Sequence, residues 1–236
     1  MSTRNRHWTI EDTKENPPLA QTKRPRLNRE RVLAGAIELA DQIGIEDLTI
    51  RRLADHLETK PMTLYHHVPS KDDIVDGMVD LVFAQIELPP EDLAWDQAIR
   101  VRCVSARQVL NRHPWAPPLM ESRTTPGPAL LRHHDAVIGC LLRGGLSFEL
   151  AAHTYAVIDS YLYGFTMQEA NLPFSGGEEI AGLADEIMAA MPVGEYPNLA
   201  EFTVNVALKP GYSFGRSFEF GLDLILDGFV RAAAAG

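Results

Sequence analysis

Residues 48–71 read LTIRRLADHLETKPMTLYHHVPSK, and this stretch decides the fold. Thr49 is a typical N-cap residue, and the apolar residues after it have the spacing of one buried helical face, namely Ile50, Leu53, Ala54 and Leu57. Residues 58–60 interrupt this pattern, and Pro61 suits the first turn of a second helix, where a missing N–H costs nothing. The stretch therefore predicts two short helices joined by a turn over residues 58–60, which is the outline of a helix-turn-helix.

Helices are also predicted on both sides of this pair. Asn28 caps an upstream helix whose apolar residues recur every three to four positions, and Gly44 supplies a left-handed stop. Downstream, Ser70 caps a long helix from Lys71 to about Glu87. Three helices between residues 28 and 67 can bury a small shared core and leave the third helix free on one side to lie in a major groove of DNA.

The predicted second short helix, residues 61–67, presents a surface that suits groove binding. Leu64 and Val68 point inward, and other side chains of this segment point outward. Lys60 can donate to guanine acceptors and Thr63 can pack on a thymine methyl, so we expect these two to carry most of the sequence specificity. The predicted DNA contacts are Arg26, Thr49, Arg51, Lys60, Pro61, Met62, Thr63, Tyr65, His66 and Lys71.

Residues 27–81 resemble the N-terminal DNA-binding domain of the tetracycline-repressor (TetR) family, most specifically in the motif TLYHHV at 63–68. Three later motifs resemble the C-terminal domain of the tetracycline-repressor branch: HPWAPP at 113–118, YPNL at 196–199 and FEFGL at 218–222. The resemblance implies a homodimer that binds a palindromic DNA operator as a transcriptional repressor and is released by a small-molecule inducer.

One position departs from the family pattern. Glu58 stands in the turn between the two short helices, where the family usually has glycine. A residue with a Cβ either adopts a left-handed conformation there, at an energetic cost, or forms a different turn. The angle between the two helices depends on which of these occurs.

The expected fold class is all-α, in four parts: a flexible arm at residues 1–27, a DNA-binding domain at 28–72, a connecting helix at 73–90, and a ligand-binding and dimerisation domain at 91–236. Helices of the last part are predicted at 95–111, 128–143, 147–170, 178–190, 197–208 and 214–234. The last of these is apolar over more than one stripe, which favours packing against both its own domain and a second subunit. The family resemblance pairs it with the helix at 147–170 in a dimeric four-helix bundle.

Charge is divided unevenly along the chain. Residues 1–72 hold 12 Lys and Arg against 11 Asp and Glu, or +1, and the remainder holds 10 against 21, or −11, which together give the net charge of −10. DNA affinity depends on local cations more than on this total, because they displace condensed counterions. The arm at 1–27 carries Lys23, Arg24 and Arg26, and it is either an untethered leader or a basic segment that follows phosphates or enters a minor groove.

Aromatic and polar side chains between the later helices are candidates for a ligand pocket. Tyr155, Asp159 and Tyr163 share one helical face at four-residue intervals, and this face lines either a pocket or a dimer interface. His113 could bond a backbone carbonyl instead of a ligand. The full candidate set is His113, Trp115, His134, Tyr155, Asp159 and Tyr163.

Other functions find little support in the sequence. It lacks the phosphate loop, the nucleophile elbow and the HExxH helix of common enzyme classes, so we predict neither catalysis nor a cofactor. Cys103 and Cys140 are expected to be reduced core thiols, with redox sensing as the alternative. No run approaches a membrane span, which favours a cytoplasmic protein. No metal site is predicted, and four aspartates are interpreted as a solvated helix face: Asp72, Asp73, Asp76 and Asp80.

The alternative function is that of an interaction adaptor that retains the fold and does not bind DNA. An adaptor has little need for several cations near the two short helices, and these are Arg51, Arg52, Lys60 and Lys71. With these cations in favour of DNA, the family resemblance implies three partners: a double-stranded DNA operator, a small-molecule inducer and a second copy of the chain.

Overall fold

A computed structural model describes residues 26–120, 125–172, 192 and 194–235, together with 182–183, 186–187 and 189. Over these residues the chain is helical and contains no strand, which confirms the all-α prediction. Most of the predicted arm, including Lys23 and Arg24, lies outside the described residues, as does most of the predicted helix at 178–190. None of the described helices is long and apolar enough to cross a membrane.

Three helices form the N-terminal domain: α1 (Arg29–Ile43), α2 (Ile50–His56) and α3 (Pro61–Tyr65). Both predicted caps are confirmed. Asn28 Oδ1 accepts from the Arg31 amide at 2.8 Å, and Thr49 Oγ1 accepts from the Arg52 amide at 3.2 Å. The third helix ends before residue 67, where we predicted its end, because the amides of residues 66 and 67 bond carbonyls three positions back and tighten the last turn.

The turn between α2 and α3 closes as a Schellman motif. The Glu58 amide donates to Asp55 O at 3.1 Å, and the Thr59 amide donates to Ala54 O at 2.8 Å. Glu58 itself adopts the left-handed conformation, with φ of 50°, which confirms the first of the two predicted alternatives. Because Glu58 has a Cβ, this backbone conformation is strained, at a cost of roughly 1–2 kcal/mol.

The connecting helix is α4 (Lys71–Phe83), and Ser70 caps it by accepting from the Asp73 amide at 3.1 Å. The helix ends before the predicted Glu87, because the amides of residues 85 and 86 bond carbonyls three positions back and form turns. α4 passes close to α1, since a Cβ on Gly77 would lie 2.7 Å from Leu33 Cδ1. Only glycine allows this approach without a shift of Leu33.

Asp80, on α4, caps a helix of the C-terminal domain. Its Oδ1 accepts from the amides of Ala129 at 2.9 Å and Leu130 at 3.0 Å, at the first turn of α7 (Pro128–Arg143). Gly127 allows the carboxylate to approach, since a Cβ there would overlap Asp80. The prediction of a solvated face is therefore wrong for Asp80, because a helix N-terminus that is remote in sequence binds it. Among the described residues, no group of three or more His, Cys, Asp or Glu could hold a metal ion.

The described part of the C-terminal domain also contains α5 (Trp95–Arg112), α6 (Pro117–Met120), α8 (Phe148–Ala170), α9 (Pro197–Phe202) and α10 (Arg216–Ala235). The predicted bounds of α7 are confirmed, because proline begins that helix and Gly144 follows its end. The helix predicted at 197–208 is split, since α9 continues as a π-helical turn at Thr203–Ala207. α5 packs against α7, α8 and α10, and α8 packs in turn against α6, α7 and α10.

Two arginines fasten α5 to its neighbours. Arg107 donates to both carboxylate oxygens of Glu169 on α8, at 2.9 and 2.5 Å. Arg100 donates to Asp223 on α10 at 2.8 Å and to Glu219 at 2.6 Å. Part of the acidic excess of this domain therefore serves the packing of its helices.

Candidate DNA interface and ligand site

The outer face of α3 is open to a partner. Nine of the ten predicted DNA contacts are exposed and Thr63 is half-buried. Met62 is 70% exposed and Tyr65 is 44% exposed, so neither side chain contributes much to the core. Leu64 and Val68 are buried, as predicted, and they fix α3 in the domain by its inner face.

Three cations near α2 and α3 have no carboxylate partner among the described residues: Arg51, Lys60 and Lys71. Arg52 differs from them, because its Nη1 lies 3.2 Å from Asp47 Oδ1 and donates to Asp47 O at 3.1 Å. Thr49 accepts from an amide at its cap position, and its O–H can still donate. The open cations and this hydroxyl are groups that phosphates bind.

Asp41, on α1, joins the two domains. Its Oδ1 accepts from the indole Nε1–H of Trp115 at 2.7 Å and lies 2.9 Å from His113 Nδ1. A carboxylate can only accept, so His113 donates its Nδ1–H. His113 Nε2 then accepts from the amide of Gln85, 3.3 Å away, just after α4. Two of the six ligand candidates, His113 and Trp115, are thus hydrogen-bonded to other side chains. They lie where α1, the end of α4 and the segment that follows α5 meet.

A second group of polar side chains lies inside the C-terminal domain, and we term Arg102, His133 and Asp159 the buried polar cluster. Arg102 is 1% exposed, and its Nη1 donates to Asp159 Oδ1 at 2.6 Å. Its Nε donates to His133 Nε2 at 2.8 Å. Burial lowers the pKa of Arg102, but the charge of Asp159 outweighs this, so the pKa lies above its ordinary value. The cluster joins α5, α7 and α8.

His133 stays neutral in this cluster. Burial first, and then the charges of Arg102 and His134, lower the pKa of His133 to about 3. Since Nε2 accepts from Arg102, the single proton of the neutral ring is on Nδ1. His133 Nδ1 and Arg102 Nη2 are buried, and neither has a hydrogen-bond partner among the described residues.

The other ligand candidates border this cluster. The Tyr155 hydroxyl hydrogen-bonds His134 Nδ1, and their ring centres are 5.6 Å apart. Burial raises the pKa of the Tyr155 phenol, so the hydroxyl keeps its proton. Tyr163 is buried on the same helix as Asp159. Four of the six candidates, His134, Tyr155, Asp159 and Tyr163, therefore lie in or beside one buried region.

Comparison with known proteins decides the family. The model described as "Bacterial regulatory proteins, tetR family" matches residues 32–78, and that described as "Tetracyclin repressor-like, C-terminal domain" matches residues 88–232. The chain belongs to the TetR family. The expectations of a TetR-family fold and of a DNA-binding transcriptional regulator are thus confirmed. This is a family of transcriptional regulators, which are not enzymes.

This TetR-family protein is a ligand-responsive transcriptional repressor. It is 30% identical over 231 residues to the HTH-type transcriptional repressor DrrR1 of Streptomyces coeruleorubidus, covering 92% of this chain and 82% of that one. It is 32% identical to an HTH-type transcriptional regulator of Saccharopolyspora erythraea over 155 residues, 65% of this chain and 66% of the relative. It is similar to the TetR family protein ActR of Streptomyces coelicolor in complex with actinorhodin, with a TM-score of 0.69 and 27% identity over 89% of this chain and 99% of that one.

One face of α8 in this TetR-family protein is exposed without being charged. Small residues recur along it at four-residue intervals, and we term these the α8 stripe: Ala152, Ala156, Ser160 and Gly164. No exposed residue from Ala152 to Gln168 is Asp, Glu, Lys or Arg. On α10, Phe220 is 69% exposed and Leu224 is 56% exposed. Exposed faces of this composition are typical of surfaces that another chain covers.

Arg102 and His133 lie beside the predicted ligand candidates, but neither residue was itself predicted as a candidate from the sequence. A signal was present, because Arg102 occupies an apolar helical stripe together with Ala98, Ile99 and Ala106, all of them buried. A cation inside such a stripe must find a partner, since burying an unpaired charge is very costly. The sequence alone does not tell which carboxylate supplies it.

Proposed function

We propose that this TetR-family repressor binds a palindromic operator in the cytoplasm as a homodimer, and that a small-molecule inducer bound among α5, α7 and α8 releases it. The strongest support is the outer face of α3, which is exposed while its inner face is locked into the core by Leu64. A short helix held in this way can enter a major groove without rearrangement.

On DNA, the predicted contact residues divide into three groups. Arg26, Thr49, Arg51 and Lys71 bind phosphates and fix the position of the domain. Base edges are read mainly by Lys60, which donates to guanine, and by Thr63, which packs on a thymine methyl. Side chains that complete the contact with bases and backbone are Pro61, Met62, Tyr65 and His66.

Homodimerisation is supported by the α8 stripe. Small side chains allow two helices to approach closely, and Gly164 has open space on its Cβ side. The exposed Phe220 and Leu224 of α10 extend the same uncharged character to the neighbouring helix. A two-fold axis through these helices would set two copies of α3 against the two halves of a palindrome.

The inducer site is proposed at the buried polar cluster and its aromatic neighbours His134, Tyr155 and Tyr163. ActR, whose structure was solved with actinorhodin bound, supports an organic ligand in a domain of this fold. Aromatic side chains supply apolar area and their polar tips orient a ligand. His113 and Trp115 are proposed to pass on the ligand state, because Asp41 connects them to α1.

Selection of randomised DNA duplexes on the purified protein at moderate salt tests this proposal. We expect enrichment of an inverted repeat. Lys60→Ala should relax the preference at one base pair of each half-site, where a good contact contributes about 1–3 kcal/mol. Lys209→Ala, an exposed lysine of the C-terminal domain, is the matched control and should select the same sequence as the wild type.

Retention that is only salt-sensitive and enriches no sequence would contradict the operator and favour the adaptor. Enrichment of single half-sites without a repeat would contradict the dimer. An unchanged preference in Lys60→Ala would remove Lys60 from base recognition while leaving the rest of the proposal in place.

A further inference from the structure

We propose that Lys23 and Arg24, near the end of the N-terminal arm, enter the minor groove of the operator beside the major groove in which α3 lies. This rests on the proposed function and adds a second element by which the protein binds DNA. The sequence leaves two roles open for the arm, an untethered leader or a DNA-binding segment. Three observations on the described residues and the sequence favour the second role.

The arm joins the DNA-binding domain next to the turn that precedes α3. Leu27 is half-buried and packs against the hydrophobic core, so it anchors the end of the arm. Leu27 and Thr59 line one groove between α1 and this turn. Thr59 is followed by Lys60, the N-cap of α3, and the N-terminal residues of a recognition helix are those that contact base edges. The arm therefore leaves the domain on the side that faces DNA.

The end of the arm carries positive charge without acidic neighbours. Residues 16–28 include Lys23, Arg24 and Arg26 and contain no Asp or Glu. Arg26 is exposed and has no carboxylate partner among the described residues. The chain as a whole has a net charge of −10, so these cations are a local concentration of positive charge in an acidic protein. Such a concentration favours DNA, because it displaces condensed counterions.

The length and the backbone of this segment suit a minor groove. Three residues span at most about 10 Å, so Arg24 stays close to the base pairs that α3 meets. Pro25 disfavours a helical conformation at Arg24, and an extended chain is narrow enough to follow a groove about 6 Å wide. The negative potential of a narrow minor groove attracts arginine and lysine. Arg26, which is closer to the domain, binds the phosphates at the edge of this groove.

Two duplexes that differ only in the minor groove test the proposal on the full-length protein. Both carry the operator obtained by duplex selection, and the base pairs that flank each half-site are inosine–cytosine in one and guanine–cytosine in the other. These pairs present the same hydrogen-bonding groups in the major groove, but guanine adds an amino group in the minor groove. Fluorescence anisotropy measures the affinities. Because this amino group obstructs the arm, the wild type should bind the inosine duplex about fivefold more tightly.

A double substitution assigns this preference to the arm. Lys23→Gln/Arg24→Gln should bind the two duplexes equally, and about tenfold more weakly than the wild type binds the inosine duplex. Its affinity should also depend less steeply on salt, because fewer counterions are displaced. Arg4→Gln/Arg6→Gln removes the same charge from the arm farther from the domain. This matched control should keep the wild-type affinity and the wild-type preference.

Equal affinities of the wild type for the two duplexes would overturn the proposal, since an arm that binds only phosphates gives that result. Wild-type affinity and preference in Lys23→Gln/Arg24→Gln would also overturn it and would make the arm an untethered leader. The proposed function fails differently, through a selection in which the wild type enriches no repeat. That result would remove the operator, and minor-groove binding at the operator with it.

Discussion

Trp115 donates its indole Nε1–H to Asp41 Oδ1 at 2.7 Å, which ties the segment before α6 to the first helix of the DNA-binding domain. His113 reaches the same carboxylate at 2.9 Å. One side chain of α1 thus receives two donors from the C-terminal domain. If this segment moves, its bonds to Asp41 would transmit the movement to α1 directly, in addition to any transmission through α4.

Asp41→Ala should loosen α1 from the C-terminal domain. Because the Asp41 side chain is 28% exposed, we expect a loss of about 2 kcal/mol in the free energy of unfolding, less than two fully buried charged hydrogen bonds would give. Trp115→Phe removes one donor and keeps a ring, so it should cost about 1 kcal/mol through the lost bond. Urea unfolding measures both losses, and hydrogen exchange should show faster exchange of the α1 amides.

Asp47→Ala is the control for this pair of variants. Asp47 also lies in the N-terminal domain, but its pair with Arg52 is exposed, so a change within about 0.5 kcal/mol is expected. An Asp41→Ala protein whose α1 amides exchange as slowly as those of Asp47→Ala would refute the link between the domains.

Glu58→Gly should stabilise the protein relative to Glu58→Ala. Both substitutions remove the carboxylate, but only alanine keeps a Cβ at a φ of 50°. The left-handed penalty exceeds the extra entropy that glycine has in the unfolded chain, so we expect a difference of about 0.5–1 kcal/mol in favour of glycine. Thermal and urea unfolding measure it. Equal stabilities would mean that the turn rearranges in Glu58→Ala.

Local structure followed from the sequence wherever neighbouring residues determine it. Asn28, Thr49 and Ser70 cap the helices that they precede, and the left-handed conformation of Glu58 is one of the two alternatives predicted for that position. Each of these features is settled within five residues of chain, so caps, prolines and apolar spacing suffice to predict it. The predicted ends of α3 and α4 lie too far along the chain, because both helices close with tight turns.

His133 should make stability depend on pH. Its pKa is about 3 in the folded protein, against an ordinary 6.5, so below pH 6.5 the unfolded chain binds a proton that the folded chain does not. The free energy of unfolding therefore falls as the pH is lowered from 6.5 to 5, approaching about 1.4 kcal/mol per pH unit from this one group. At higher pH the effect vanishes.

The measurement compares urea unfolding of the wild type and His133→Gln across this range. The other histidines are present in both proteins and largely cancel in the difference, and carboxylates titrate mainly at lower pH. His133→Gln should show the shallower pH dependence. Parallel curves would mean that His133 gains its proton while the protein is folded.

Ser160→Asp should dissociate the proposed homodimer. Ser160 lies in the middle of the α8 stripe, and two copies across a two-fold axis would bury like charges near each other. We expect a monomer by sedimentation, with the helix content retained. Gln108→Asp, exposed on α5, adds the same charge elsewhere and should leave the dimer intact. A dimeric Ser160→Asp protein would place the interface on another face.

Contacts between distant residues were beyond sequence analysis. Arg102 meets His133 across 31 positions and Asp159 across 57, and helical periodicity does not tell which buried faces meet. His113 and Trp115 were recognised as candidates by residue type, yet they bond Asp41, more than 70 positions away. Residue type therefore identified chemically active side chains without their partners.

The bond from Asp80 to the start of α7 has a mechanical consequence. α7 carries His133 and His134, and α4 leads directly from the domain that holds α3. The carboxylate of Asp80 and the N-terminus of α7 resist separation from each other, so α4 and α7 should rotate together as one rigid body. A small displacement of α7 at the buried polar cluster would then produce a larger displacement of α3, because α3 lies farther from the axis of this rotation.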